Sequence, residues 1–327
     1  ASRDRRLIFR YRTPDGSRDD MNDYPIYLDF NATTPVHPEV LEAMLPFFGP
    51  AFGNPSSAHP YGFRLRSAME TGRGELAGVI GAQEDEIVFT SCGSESNNLA
   101  LKGLAFGTSG SRNHIVISAV EHPAVSNTAR VLSQHGFSVT IVRVDADGRV
   151  DPEAVREAVT ERTLVVSVLH GQNEIGTVQP LSEIAAAAHE KGALLHTDAA
   201  QSIGKIPVDV GMLGADLLTI AGNKFYAPKG AGALYVRRGI KLEPLIHGGG
   251  HERGLRAGTE NAAFAVALGK AAHLAKCRQP LYDTHVRVLR DRLHQAILSG
   301  VPDAVLNGHP DERLPNTLNL SFPGIDS

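Results

Sequence analysis

The stretch LLTIAGNKFYAPKGAGALYVR at 217–237 carries an apolar, strand-like run straight into Gly222, Asn223 and Lys224. A lysine at the end of a core strand is costly to bury, because its ammonium loses water. Partial burial also lowers its basicity, and the neutral amine is the form that condenses with an aldehyde. Lysine heads reach water readily, so a solvated loop lysine is the plain alternative for this residue taken alone. Asp198 closes another apolar run at 194–198, with Gln201 just behind it. An aspartate there can cap a following helix or serve as a fixed negative charge. In FTSCGSESNN, 89–98, Gly93 permits a tight turn and Ser94 opens a helix. The free N–H groups of such a start receive a phosphate, although a hydroxyl there can be no more than a cap. His122 stands at a helix start in AVEHPAV, and Asn173 and Glu174 occupy a turn in HGQNEIG.

These residues need a frame that brings the ends of several strands together. Short β-branched runs at 87–90, 114–118, 139–142, 164–169, 194–198, 217–221 and 233–236 read as strands. Amphipathic segments near 94–106, 124–135, 152–159 and 181–191 read as the helices between them. Runs such as LVVSVL at 164–169 are continuously apolar, as strands covered on both faces are. The alternation predicts an α/β fold: a mostly parallel seven-stranded sheet with helices on both faces. Ligands of such sheets bind beyond the carboxyl ends of the strands, where the polar residues collect. After 262 a long apolar segment reaches Cys277; Pro280 then separates it from a second helix ending near 298. Two short strands are expected at 304–306 and 317–322.

A lysine for an aldehyde, an anion for a ring nitrogen and a cup for a phosphate are what pyridoxal 5'-phosphate asks of a protein. Lys224, Asp198 and the Gly93–Ser94 turn supply the three, with His122 placed to stack on the ring and Asn173 and Gln201 near its hydroxyl. The chain also resembles the cysteine desulfurase and selenocysteine lyase family, within the class V aminotransferase group. The matching stretches are YLDFNATTP (27–35), GNPSSAH (53–59), FTSCGSESNN (89–98), EHPAV (121–125), QNEIGTVQP (172–180), HTDAAQS (196–202), GNKFYAPKGAGALYVR (222–237) and GGGHERGLRAGTEN (248–261).

The resemblance implies the large domain of pyridoxal-phosphate fold type I, with catalytic Lys224 and His122. It implies a homodimer in which Thr259 of the RAGT turn reaches the phosphate of the partner's cofactor. The implied reaction turns cysteine, or selenocysteine, into alanine and passes the sulfur to an enzyme cysteine, for iron–sulfur cluster assembly through a sulfur-acceptor protein. Asn223 stands where the family usually has a phosphate-binding histidine, Ala221 where a hydroxyl is common, and Cys92 where glycine is usual. An amide donates a hydrogen bond but carries no charge.

The family's nucleophilic cysteine and a carboxylate-binding arginine follow the TLNLSF strand, and the sequence ends before both. Cys92 and Cys277 match neither and are expected to be small structural residues. The expectation is therefore an enzyme that takes up its cofactor but releases little sulfur unaided. Alternatives are an aminotransferase, a C–S or C–Se lyase needing no such cysteine, or a catalytically inactive dimerisation partner. A nucleotide-binding protein fits least, for neither GxGxxG nor GxxxxGK[ST] occurs.

Composition agrees with this class. The 327 residues are 42% hydrophobic and carry a formal net charge of −4, which offers no field for nucleic acid or an anionic membrane. No apolar run approaches the roughly 20 residues of a membrane span, and no secretory signal is legible. Two cysteines without CxxC spacing point to a reducing compartment, the cytoplasm or an organelle matrix. Fourteen histidines include no HExxH, so no metal site is expected. Residues 1–23, with six arginines, read as a flexible tail. Residues 24–35 are expected to pack with a small domain, 36–278 to form the large cofactor-binding domain, and 279–327 to begin a small α+β domain that is incomplete.

Overall fold

The computed structural model describes residues 26–107 and 112–325; the tail expected at 1–23 lies outside them. Seven strands form one sheet: β1 (Ile87–Thr90), β2 (His114–Ser118), β3 (Ser138–Val142), β4 (Thr163–Ser167), β5 (Leu194–Asp198), β6 (Leu217–Ala221) and β7 (Gly232–Val236). Their spatial order is β1–β7–β6–β5–β4–β2–β3. All run the same way except β7, which is antiparallel to both β1 and β6. The reversal has a simple cause. Residues 222–231 are too few for a helical crossover, which takes roughly a dozen residues or more.

The helices are α1 (Pro38–Met44), α2 (Pro60–Ile80), α3 (Gly93–Gly107), α4 (Pro123–Ser133), α5 (Pro152–Ala158), α6 (Leu181–His189), α7 (Val210–Leu213), α8 (Ala262–Leu281) and α9 (Arg287–Gly300). Side chains alternate across the pleat. Ile115, Ile117, Val165 and Leu217 pack with α3 and α4, whereas Val116, Val166 and Leu195 pack with α5 and α6. Leu218, Ile220 and Tyr235 join α1, α2 and α8. Helices α2 and α8 touch backbone to backbone, since a Cβ on Gly269 would lie 2.3 Å from the Gly72 Cα.

Pro280 does not end a helix, as the sequence suggests it should. It sits inside α8, and a π-turn over Tyr282–Val286 leads without a break into α9. Thr284 donates its hydroxyl to the Pro280 carbonyl at 2.9 Å, so the ladder widens around the proline instead of stopping. Beyond α9, β8 (Val305–Leu306) and β9 (Leu320–Ser321) form a short antiparallel pair. The chain between them docks on the loop after β4: Val178 N–H donates to the Glu312 carbonyl and Leu314 N–H to that of Gly176.

Two buried polar systems brace the sheet. Arg73 of α2 makes a paired contact with Glu252 at 2.7 and 2.8 Å, and Glu252 also accepts the Phe89 N–H of β1. Glu252 and Arg253 both hold left-handed backbone angles, φ 47° and 57°, a strain that these contacts offset. Across the middle strands, His196 binds the hydroxyls of Ser167 at 2.8 Å and Thr219 at 3.1 Å. Nearby, His170 binds Ser202 at 3.0 Å. Burial pushes His170 down to about 4 and His196 to about 3.

Two outcomes are expected. Glu252→Ala leaves the buried Arg73 guanidinium with only Glu70 and the Ile87 carbonyl and should lower unfolding free energy by about 2–3 kcal/mol, read from urea denaturation. The neutral histidines bind more protons unfolded than folded. Their contribution is therefore complete above about 6.5 and declines as pH falls towards 4 and 3, so urea midpoints should fall over that window and less so in His170→Gln.

Candidate active site

Strands β1, β2, β4, β5 and β6 present their carboxyl ends to one rim of the sheet, and the residues after each line a cleft of about 410 Å³. Gly93, Ser94, His122, Asn173, Asp198, Gln201, Asn223 and Lys224 all lie in its wall. Thr259 does not; it is exposed in the loop between the turn at His251–Gly254 and α8.

Lys224 follows β6 in a tight 3₁₀ turn. Its ammonium donates to the carbonyls of Asn31 at 2.8 Å and Ala32 at 2.6 Å. Burial lowers its basicity, against the opposing charges of Asp198 and Asp29. The segment that supplies these carbonyls is clasped to the lysine turn. Thr34 donates its N–H and its hydroxyl to the Asn223 carbonyl, and its hydroxyl oxygen accepts the Tyr226 N–H at 2.9 Å. Tyr226 is bent to φ 71°, a left-handed angle that a bulky residue adopts only when its surroundings hold it.

Asp198 ends β5 and is 8% exposed. One oxygen accepts the Asn97 amide at 2.7 Å and the other the Ala200 N–H at 3.0 Å. It thus caps a turn and also offers an anion to the cleft. Asn97, on the first turns of α3, has its own Oδ1 buried without a partner. Gln201 donates to the Asn31 carbonyl at 2.8 Å. Asn223 extends its amide to the Thr33 hydroxyl at 3.3 Å.

At the far end α3 starts at Gly93 rather than at Ser94, so Ser94 lies in the first turn and is exposed. A side chain on Gly93 would come within 3.1 Å of the Ala221 Cβ and 3.6 Å of Thr219 Cγ2, so glycine lets the helix start sit close against β6. Glu95 accepts the Ser91 N–H and hydroxyl and pairs with Arg256 at 3.0 Å. His122 caps α4, its Nδ1 accepting the Ala124 N–H at 3.1 Å. A neutral ring held this way carries its proton on Nε2. Beside it, Glu121 is part-buried with its Oε2 enclosed and unpartnered, while its Oε1 accepts the Ser118 hydroxyl at 2.6 Å and the Leu169 N–H at 2.9 Å. Burial, with the nearby Asp198 charge, raises its carboxyl to about 8.

An amine, an anion fixed at the cleft wall, an unpartnered amide oxygen beside it, and a helix start kept open by glycine fit the pyridine, aldehyde and phosphate of pyridoxal phosphate. Lys224, Asp198 and the Gly93–Ser94 turn can hold those three groups. Among the described residues no cluster has the histidine, cysteine and carboxylate set of a metal site. Asn31, Asn97 and Glu121 belong to the site or its support and had no role assigned from the sequence, although each lies in a matching stretch: Asn31 in YLDFNATTP, Asn97 in FTSCGSESNN and Glu121 in EHPAV. Cys92, in the same turn as Gly93, lines the cleft. Cys277 is exposed on α8, outside the cleft wall.

The class-V aminotransferase family matches residues 26–327. A cysteine desulfurase IscS of Dictyoglomus turgidum is 46% identical over 301 residues, covering 92% of this chain and 76% of that protein. The cysteine desulfurase IscS of Methanosarcina thermophila is 46% identical over 301 residues, covering 92% and 74%. Among solved structures, a NifS-like protein superimposes with a TM-score of 0.88 at 39% identity, covering 92% of this chain and 82% of that one. SspA in complex with cysteine does so with a TM-score of 0.82 at 39% identity, covering 91% and 84%.

The depressed basicity of Lys224 is open to direct measurement. In the cofactor-free chain, pulse acylation followed by peptide mass spectrometry should rise at lower pH for Lys224 than for an acetyl-lysine standard in the same tube. Asp198→Asn removes the leading charge that favours the ammonium and should move the rise lower still.

Proposed function

Because the chain belongs to the class-V aminotransferase family, we propose that it is a pyridoxal-phosphate-dependent enzyme of the cysteine desulfurase type. The observation that carries the proposal is the half-buried Lys224 amine, held by two backbone carbonyls in the same cleft as the Asp198 carboxylate. The overall conversion is L-cysteine plus a thiol to L-alanine plus a persulfide of that thiol.

When bound, the cofactor supplies an electron-withdrawing ring that lets the substrate's α-carbon carry negative charge. The chain's own residues do the rest. Lys224 would hold the aldehyde group and, as the free amine, would take the α-proton on Nζ. Asp198, kept in place by Asn97 and Ala200, would hold a proton at the ring nitrogen. His122 would bind the ring and return a proton from Nε2. Asn173 and Gln201 would hold the hydroxyl, and the Gly93–Ser94 helix start, with Asn223, would hold the phosphate. The thiol that accepts sulfur is not assigned to Cys92 or Cys277.

Thr259, outside its own cleft, is proposed to reach the phosphate held by a second copy. The exposed aromatic side chains of Phe48, Phe52, Tyr61 and Phe63 support a homodimer, since burying them needs a partner. Selenocysteine as a substrate, a sulfur-acceptor protein and a cytoplasmic setting belong to the same proposal. The small C-terminal unit is proposed to begin near 279, with 24–35 packing beside it.

Borohydride reduction in the presence of the cofactor should leave a stable adduct on the Lys224 peptide. A separate, unreduced sample loaded with the cofactor should exchange the α-proton of L-cysteine with heavy water, and release alanine and sulfide in equal amounts when dithiothreitol is supplied. Lys224→Ala should lose the adduct and at least about 10²-fold of the exchange rate. An adduct on another lysine, or amino-group transfer to an α-keto acid without sulfide, would sink the proposal.

A further inference from the structure

A second lysine lies behind the cleft with no role in the chemistry above. Lys205 closes the turn that follows β5 and is 3% exposed. Its Nζ donates to the Gln201 Oε1 at 2.7 Å, and among the described residues no carboxylate pairs with it. Burying an ammonium against one amide oxygen is a costly arrangement that methionine or leucine would avoid. The same Gln201 donates from Nε2 to the Asn31 carbonyl at 2.8 Å, the carbonyl that also accepts the Lys224 ammonium at 2.8 Å. Lys205, Gln201, Asn31 and Lys224 therefore form one connected line.

An ammonium has only N–H groups to offer, so the amide facing it must turn its oxygen inward. A carboxamide free to rotate could present either end to the cleft. We propose that Lys205 is a positioning residue that fixes the Gln201 carboxamide with its oxygen inward and its N–H groups towards Asn31 and the Lys224 cleft. Burial and the nearby Lys224 charge push Lys205 down to about 7; the ammonium enforces this orientation, and in the neutral form the amine N–H and the Gln201 Nε2 bond to the Asn31 carbonyl maintain it together. The functional consequence rests on the cofactor reading above: a fixed donor at the cleft wall favours an ionised phenolic oxygen over a neutral one. The other charges facing the lysine pair, Asp198 at the end of β5 and Asp29 on the N-terminal segment, act on Lys224.

The test compares Lys205→Met, Lys205→Arg, Gln201→Leu and the Lys205→Met/Gln201→Leu double variant. In the cofactor-free chain, the Gln201 side-chain NH₂ signals, identified by their loss in Gln201→Leu, should exchange slowly with solvent. Exchange should be at least about 10-fold faster in Lys205→Met and slow again in Lys205→Arg, as expected when a fixed hydrogen bond is lost and regained. With pyridoxal phosphate added, Lys205→Met should weaken uptake about 5–10-fold and shift the visible absorption band. The double variant should be no worse than Gln201→Leu alone, because the two residues act as one unit.

Unchanged Gln201 exchange in folded Lys205→Met, or additive losses in the double variant, would overturn the proposal. Should Lys205→Met not fold, Lys205→Gln, whose shorter side chain stops short of Gln201, takes its place with the same expectations. If the unaltered chain takes up no cofactor at Lys224, the proposed function fails, while the exchange measurement still decides the role of Lys205.

Discussion

An ammonium brought to the end of a fully buried strand has to be met by oxygen, and at Lys224 that oxygen comes from the backbone of Asn31 and Ala32. This requirement dictates the course of the chain before the first helix. Residues 31–34 must lie across the rim of the sheet, and Thr34 clasps them to the lysine turn at Asn223 and Tyr226. The side chain of Asn31 then reaches the other way, to the Asn173 carbonyl at 3.1 Å and the Thr317 hydroxyl at 2.9 Å, and accepts from Asn316 at 3.0 Å. One residue thus ties the amine, the loop after β4 and the C-terminal segment together. A shift of any of the three is felt by the other two.

Negative charge in the cleft is rationed by the same physics. Asp198 ends β5 and Glu121 follows β2, with β4 between them, yet the Asp198 charge still disfavours ionised Glu121. Burial raises Glu121 to about 8, so it is mostly neutral near pH 7 and serves as a hydrogen-bonding strut between β2 and the Leu169 N–H. Asp198 keeps two protein donors, from Asn97 and Ala200, which hold its carboxylate in one orientation. The outcome is an oriented Asp198 carboxylate in the same cleft as the Lys224 amine, with Asp29 and Glu174 also in the wall. An aldehyde-bearing heterocycle needs that pairing more than it needs total charge.

Strand positions were legible because burial on both faces leaves continuous apolar runs; 87–90, 114–118, 194–198 and 217–221 correspond to β1, β2, β5 and β6 residue for residue. The residues after those strands were legible as a group because the carboxyl ends of a parallel sheet share one rim, and they do line one cleft. What escaped is tertiary. Asn31 sits in no periodic element, and it matters through backbone oxygen, which every residue has. Asn97 and Glu121 are ordinary polar residues until the fold buries them beside Asp198. The unbroken path from α8 to α9 escaped because Pro280 usually ends a helix, and only the π-turn with Thr284 relieves it.

The phosphate end follows a different rule from the amine end. The Arg256 guanidinium is already spent on Glu95 at 3.0 Å, and Glu95 in turn accepts the Ser91 N–H. Asn223 brings an amide where a charged imidazole is usual, and its Nδ2 is shared with the Thr33 hydroxyl at 3.3 Å. A phosphate seated as proposed would therefore meet the partial positive charge of the α3 start and neutral donors, with no free cation among these contacts. Such a seat discriminates by shape and donor direction more than by charge. Gly93 serves this seat by letting the start of α3 lie close against Ala221 and Thr219 of β6. Affinity at that end then depends on how firmly α3 is held, and the Glu95–Arg256 pair, unable to contact the phosphate as a free charge, still contributes by holding it.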